Sequence, residues 1–534
     1  MRELFSDVKK LTMFLLRRER VTSVIWIFAL AGFSAILAAG ISTMFDDNAR
    51  QALVETMNNP AMIAMIGPLY GAENYTPGAM YSTMLLLWVA ITTGVMNIFL
   101  IVRHTRADEE QGRLEVIRSL PVGRLSNLTS ALATALIVNA VMGLTHAFGI
   151  YLCAGEPTIT LSGSILYGAA VFVIGMVFAG VAALFSQLSQ SSSGAVGYSL
   201  LALGLFYMLR AAGDAGSEIL SIISPLGLIL RTQIYIENYW WPIFLLLFFA
   251  VVIIAAAYAL NIRRDIDQGF IAARPGKKHA SKYLRTPFGL SLRLTRGVLT
   301  VFFIVMFSLG ASYGSVFADI ETFVSQSEFY QMIMGVNGDN NVPEMFVSMV
   351  TAIMSLIAAV PVLIIALKPL SEETRRRSEH VLSRGVSRIK YIINYAAISF
   401  MAAVVMQFAT AAGLYVAIAA VIETPVSFGF LIKSNFLYIP ALWILTGAAV
   451  LIIAALPRAS GALWGFYGFS FFAAFVGRML TIPKWITDIT PFNHIPQLPA
   501  DEINLPSLAV LVIIAAALTA AGVIFYGRRD MHTA

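Results

Sequence analysis

Two short stretches of this chain set carboxylates beside guanidinium groups, DEEQGRLEVIRSLPVGR at residues 108–124 and EETRRRSEHVLSRGVSR at 372–388. At a constant offset of 264, Glu109 meets Glu373, Arg113 meets Arg377, Glu115 meets Glu379, Ser119 meets Ser383, Val122 meets Val386 and Arg124 meets Arg388. The chemistry such residues supply is charged contact. Each stretch lies between two long apolar runs, at the same place in its half of the chain. A charged helix kept twice between a second and a third membrane span implies that it touches something in the cytoplasm. It also implies two pseudo-equivalent halves and a two-fold symmetric partner. Positive charge alone would serve to set topology, yet glutamates recur beside the arginines.

Other reactive patterns are missing. No G-x-x-x-x-G-K-[ST] loop occurs; the one Gly-Lys pair, Gly276-Lys277, is followed by Lys278 and lacks the upstream glycine. The chain is therefore expected to bind no ATP and to carry no cofactor of its own. There is no H-E-x-x-H, Cys/His cluster or G-x-S-x-G, and the six histidines show no ligand spacing, so no metal site is expected. The single cysteine, Cys153, excludes an internal disulfide.

The elements that must position the charged stretches are membrane helices. Of 534 residues 58% are hydrophobic and 12% charged, with mean hydropathy +0.77. A soluble domain holds about a quarter charged residues. Runs of about 20 apolar residues predict twelve spans. They fall near 21–44, 80–102, 128–153, 162–187, 194–211, 240–262, 297–318, 346–367, 391–421, 434–456, 460–480 and 507–526. With the N-terminus in the cytoplasm, only Arg50, Arg210, Arg231, Lys433, Arg478 and Lys484 fall outside. The other thirty of the 36 Lys and Arg lie inside, as the positive-inside rule asks. Net charge +6 is thus explained by topology, and no nucleic-acid partner is implied. No cleaved signal peptide is expected from the first 20 residues.

The halves correspond at further points. Leu16, Arg17 and Arg20 match Leu292, Arg293 and Arg296; Ser193–Ala195 matches Ser460–Ala462; Arg263–Asp265 matches Arg528–Asp530. The expected organisation is all-α: residues 1–265 as one six-span half, 266–286 as a cytoplasmic linker, and 287–534 as a second half in parallel orientation. Residues 3–18 carry Leu4, Phe5, Val8, Leu11, Phe14 and Leu15 at helical spacing, which predicts a separate amphipathic helix on the inner membrane surface. The segments 212–238 and 481–505 are too polar to cross and too apolar for free loops, which predicts short re-entrant or interfacial helices on the outer side.

Ionisable residues inside spans are functional candidates. His146 is read as a satisfied interior residue. Arg210 and Arg478, 268 residues apart near the outer ends of the fifth and eleventh spans, are read as structural ties to the outer helices.

The charged stretch, its position after the second span and the six-span unit resemble type-2 ABC transporter permeases. The residues carrying the likeness are Glu109, Glu110, Gly112, Arg113, Glu115, Pro121 and Arg124. The second stretch carries Glu372, Glu373, Arg377, Glu379, Arg384 and Arg388, but has Arg376, Arg384 and Gly385 where the first has Gly112, Leu120 and Pro121. With NNPAMIAMIGPLYG at 58–71, the single-chain form is similar to a narrower group of bacterial polyketide-antibiotic exporter permeases. The resemblance implies that these residues form coupling helices and that two copies of a separate ATP-binding subunit bind ATP and Mg. It also implies an amphipathic small-molecule substrate exported across the bacterial cell membrane, in contact with membrane lipid. Alternatives are a permease of the same type for lipid or another substrate, and a twelve-span ion-coupled carrier.

Overall fold

The computed structural model describes residues 2–44, 50–51, 53–54, 57, 60–216, 218–265, 268–271, 279–315, 317, 342–422, 426–475, 484–499 and 501–529. The chain divides into two compact units, Met1–Pro275 and Gly276–Ala534. Both are helical; among the described residues the one β feature is an isolated bridge between Ser189 and Ile271.

The first unit runs α1 (Val8–Met44), α2 (Pro60–Ile66), α3 (Pro77–His104), α4 (Arg106–Glu110), α5 (Arg113–Arg118), α6 (Ser126–Ala154), α7 (Leu161–Leu188), α8 (Ser192–Gly216), α9 (Glu218–Ile223), α10 (Pro225–Leu230) and α11 (Trp241–Arg263). Local chemistry fixes several ends. Thr76 caps α3, accepting from the Ala79 N–H, with Pro77 pre-set at the first helical position. Thr160 caps α7 in the same way through Gly163 N–H. Helices α6 and α7 meet where Gly143 faces Gly168: a Cβ on Gly168 would lie 2.3 Å from the Gly143 carbonyl oxygen. Such small residues let membrane helices approach closely, where dispersion and not the hydrophobic effect drives association. A buried reciprocal amide pair, Asn97 to Asn139 at 2.9 Å and Asn139 to Asn97 at 2.7 Å, ties α3 to α6.

The second unit runs α12 (Pro287–Ser315), α13 (Val342–Ala366), α14 (Lys368–Thr374), α15 (Arg377–Leu382), α16 (Arg388–Val421), α17 (Phe428–Phe436), α18 (Ile439–Ala455), α19 (Gly461–Phe475), α20 (Lys484–Thr487) and α21 (Leu505–Arg528). Its core lies between α13, α16 and α18, around Val350, Met354, Val362, Ala402, Met406, Leu442 and Leu445.

Among the described residues eleven helical stretches are long and apolar enough to cross a membrane. The protein is an all-α, multi-pass membrane protein. The eleventh expected span is represented by α19, of 15 residues, which runs into residues outside the described set. Between α8 and α11 the chain forms the short helices α9 and α10, and all six residues of α10 are buried.

One element differs from expectation. Residues 3–18 do not form a separate interfacial helix. A single 3-10 turn, Arg2–Phe5, precedes a left-handed Asp7 (φ 60°), and α1 then continues for 37 residues. That is roughly 55 Å of helix, well beyond the ~30 Å apolar layer. Lys9, Lys10 and Arg17 stay exposed, while Arg18 and Glu19, which follow them, are matched inside the fold. Arg18 donates to both oxygens of Asp108, at 2.7 and 3.1 Å. The Glu19 carboxylate, buried, lies 2.9 Å from Arg103 and 3.0 Å from His104 Nε2. With those partners available, nothing interrupts the helix.

The charged loops as candidate functional site

Each unit carries one charged loop, built from two short helices. In the first unit α3 ends at His104, Thr105 breaks the helix (φ −116°, ψ −87°), and α4 and α5 follow. Gly112 turns the chain between them at φ 71°. In the second unit α14 and α15 are joined at Arg376, the position equivalent to Gly112, at φ 57°. The same left-handed turn is therefore made once with glycine and once, at a cost in steric strain, with arginine.

The inward carboxylates hold the loop. Glu109 is buried and receives Arg106 at 2.9 Å and Arg264 at 2.7 Å. Asp108 is buried between Arg18 and Arg113, the latter at 2.9 Å. Glu110 accepts from the backbone and hydroxyl of Ser192 at the start of α8. Arg124 donates to the Arg264 carbonyl at 2.9 Å. The N-terminal turn closes the loop from outside: Leu125 N–H donates to the Leu4 carbonyl at 3.0 Å, and the Ser126 hydroxyl to that of Ser6 at 2.6 Å.

The second loop has the same internal tie. Glu373 pairs with Arg529, just past α21, and Arg388 donates to the Arg529 carbonyl at 2.6 Å. Glu372 is buried beside Lys368 at 3.2 Å. Charged hydrogen bonds of this kind are the strong ones, and a buried carboxylate without them is costly.

The outward residues differ in character. On α5 and its exit, Arg113, Glu115, Pro121 and Arg124 are exposed, with Val116 at 70% and Leu120 at 60% exposure. On α15 and its exit, Arg377, Glu379, His380 and Arg384 are exposed, His380 and Arg384 standing where the first loop has Val116 and Leu120.

Of the sequence-designated loop residues, Glu109, Glu372 and Glu373 are therefore buried in intrachain pairs, and the face open to another molecule is carried by Glu115, Glu379 and their neighbours. Sequence reading missed Asp108, Arg18, Glu19, His104, Arg264 and Arg529 as members of the network. The available signal was the charge of Arg18 and Glu19 at the edge of an apolar run.

The other candidates lie apart from the loops. Arg210, fully buried in α8, donates to the carbonyls of Ile63 (3.3 Å), Ala64 (2.9 Å) and Met65 (3.2 Å) at the end of α2, and reaches Asp214 at 3.4 Å. Its guanidinium stacks 4.6 Å over the Tyr207 ring. These carbonyls belong to α2 and not to the segment that follows α8. Arg478 lies outside the described residues. His146 is buried in α6, its Nδ1 2.8 Å from the Met142 carbonyl, with the Tyr167 ring stacked at 6.1 Å.

Long apolar helices, polar ties between them and two charged loops at helix ends define a multi-pass permease-like membrane protein. Comparison with known proteins narrows this. The sequence profile described as "Multidrug efflux system permease Rv1217c, C-terminal domain" matches residues 10–260 and 284–527, and the chain belongs to that family. It is 31% identical over 528 residues to the Multidrug efflux system permease protein Rv1217c of Mycobacterium tuberculosis (strain ATCC 25618 / H37Rv), covering 97% of this chain and 94% of that one.

Proposed function

We propose that this chain is the membrane subunit of an ABC-type exporter that moves amphipathic, drug-like molecules out of a bacterial cell. In this reading both termini face the cytoplasm and the two charged loops are coupling helices. Each seats in a separate ATP-binding subunit, two copies of which hold ATP and Mg. The relative's printed role in multidrug efflux supports the export of drug-like molecules.

The observation that carries the reading is the division of labour within each loop. One carboxylate, Glu109 or Glu373, is tied inward to an arginine that follows the last helix of its unit. The next turn, with Glu115 or Glu379, faces outward. A lever must be fixed at one side and free at the other. ATP-driven closure of the partner dimer would pull on the free side and pass the motion to the helices through the fixed side.

The test is purification from native membranes through a tag on this chain. Retention of an ATP-binding subunit at two copies per chain, with drug-stimulated ATP hydrolysis, is the expected result. Transport by the purified chain alone, driven by an ion gradient, would replace this reading with an ion-coupled carrier.

A further inference from the structure

The geometry points to an anion site behind the first charged loop, with a phosphate group as its ligand. A small cleft, partly open to solvent, lies between α4, α5 and the adjoining ends of α6, α7 and α11. Four guanidinium groups line it, those of Arg106, Arg118, Arg124 and Arg264, against the single carboxylate of Glu109. The wall is therefore strongly cationic.

Three of these arginines have protein oxygens as acceptors. Arg106 reaches Glu109 and the Gln190 carbonyl, Arg264 reaches Glu109 and the Gln268 carbonyl at 2.8 Å, and Arg124 reaches the Arg264 carbonyl. The Arg264 side chain is 8% exposed, and its Nε–H has no acceptor. Arg118 is half-buried, and Glu109, already shared by Arg106 and Arg264, is the one carboxylate that acts on it. Burial pushes its pKa down from the usual value; Glu109 opposes this, and the neighbouring cations Arg124 and Arg264 add to it. Cations gathered in a recess with one carboxylate among them call for a further anion, and a phosphate offers several acceptor oxygens to planar guanidinium forks.

The second unit shows the same place built without the recess. The positions equivalent to Arg106 and Arg118 are Leu370 and Leu382, and both pack on the apolar cluster of Tyr391, Tyr395 and Ala454. The charge in the first unit is thus not a requirement of the loop's fold. The site is independent of the ABC reading above. Its phosphate could be that of an anionic lipid headgroup, since the cleft sits at the ends of membrane helices, or a soluble phosphate.

The full chain in neutral detergent tests this, with melting temperature and native mass spectrometry as readouts. One arm adds phosphatidylglycerol against phosphatidylcholine. The other adds inorganic phosphate against chloride at equal ionic strength. The site predicts stabilisation and one retained anion per chain. A response to phosphatidylglycerol alone assigns the lipid source, and a response to inorganic phosphate assigns the soluble one. In Arg118→Gln the anion affinity should fall about tenfold, and Arg118→Lys, which keeps the charge but not the fork, should fall between. Melting of both variants without anion separates loss of binding from loss of fold. No stabilisation by either anion, retention equal to that of phosphatidylcholine, or an unchanged response in a folded Arg118→Gln would overturn the proposal.

Discussion

The Glu109 carboxylate lies 2.7 Å from the Arg264 guanidinium, although 155 residues separate them in sequence. Glu373 holds Arg529 in the same relation across 156 residues of the second unit. In both units the arginine immediately follows the last long helix, and a second arginine, Arg124 or Arg388, donates to its carbonyl. The charged loop is thereby fastened to the end of its own unit.

Removal of these carboxylates should be destabilising. Glu109→Ala leaves the buried Arg106 and Arg264 facing each other without their shared anion, at a cost of about 3–5 kcal/mol. Arg264→Ala should cost less, because Glu109 then retains Arg106. Melting temperature and membrane yield check the order; an Arg264→Ala variant less stable than Glu109→Ala contradicts it.

This tie marks where sequence reading stops. The twelve apolar runs and the correspondence of the two loops are visible in sequence because periodicity and local spacing are local properties. Burial is not local. Glu109 and Glu115 look alike in a charged stretch, yet one faces Arg264 and the other faces outward. The pairing of Arg18 and Glu19 was hidden for the same reason: their partners Asp108 and His104 lie more than 80 residues away. Arg210 was expected to hold the segment that follows α8, yet its acceptors are the carbonyls of α2, more than 140 residues earlier.

Arg210→Leu should lower folding yield and melting temperature before it alters substrate choice. The Ala64 carbonyl loses its donor, and the Ile63 and Met65 carbonyls and Asp214 are left with the Gly67 N–H, the Tyr207 hydroxyl and the Ser221 hydroxyl alone, so the buried Asp214 also loses its countercharge. An unpaired group away from water costs several kcal/mol. A variant that folds normally and fails only with charged substrates would instead make Arg210 a substrate contact.

The two loop turns offer a matched pair of backbone tests. Arg376 holds φ 57° with its side chain exposed, so Arg376→Gly should raise stability by about 1 kcal/mol. At Gly112 a Cβ meets nothing within 4 Å, so Gly112→Ala should lower stability by a similar ~1 kcal/mol, from backbone strain alone. Opposite shifts in melting temperature are expected; shifts of the same sign would show that contacts outweigh the dihedral.

The outward faces make the last prediction, which rests on the proposed coupling role. Glu115→Arg and Glu379→Arg change exposed residues, so both variants should insert and fold normally. Each places a cation where a partner surface complementary to glutamate would sit, and like charge at a contact costs several kcal/mol. Retention of the ATP-binding subunit should therefore fall with the fold intact. The two sides should respond differently to salt. The first loop presents Val116 and Leu120 beside Glu115, an apolar contact that salt does not screen. The second presents His380 and Arg384 beside Glu379, a charged contact that salt does screen. Leu120→Asp should thus weaken retention at every salt concentration, whereas Arg384→Glu should weaken it at low salt and lose its effect as salt rises. Equal salt profiles for the two variants would show that the loops engage their partners by the same physics.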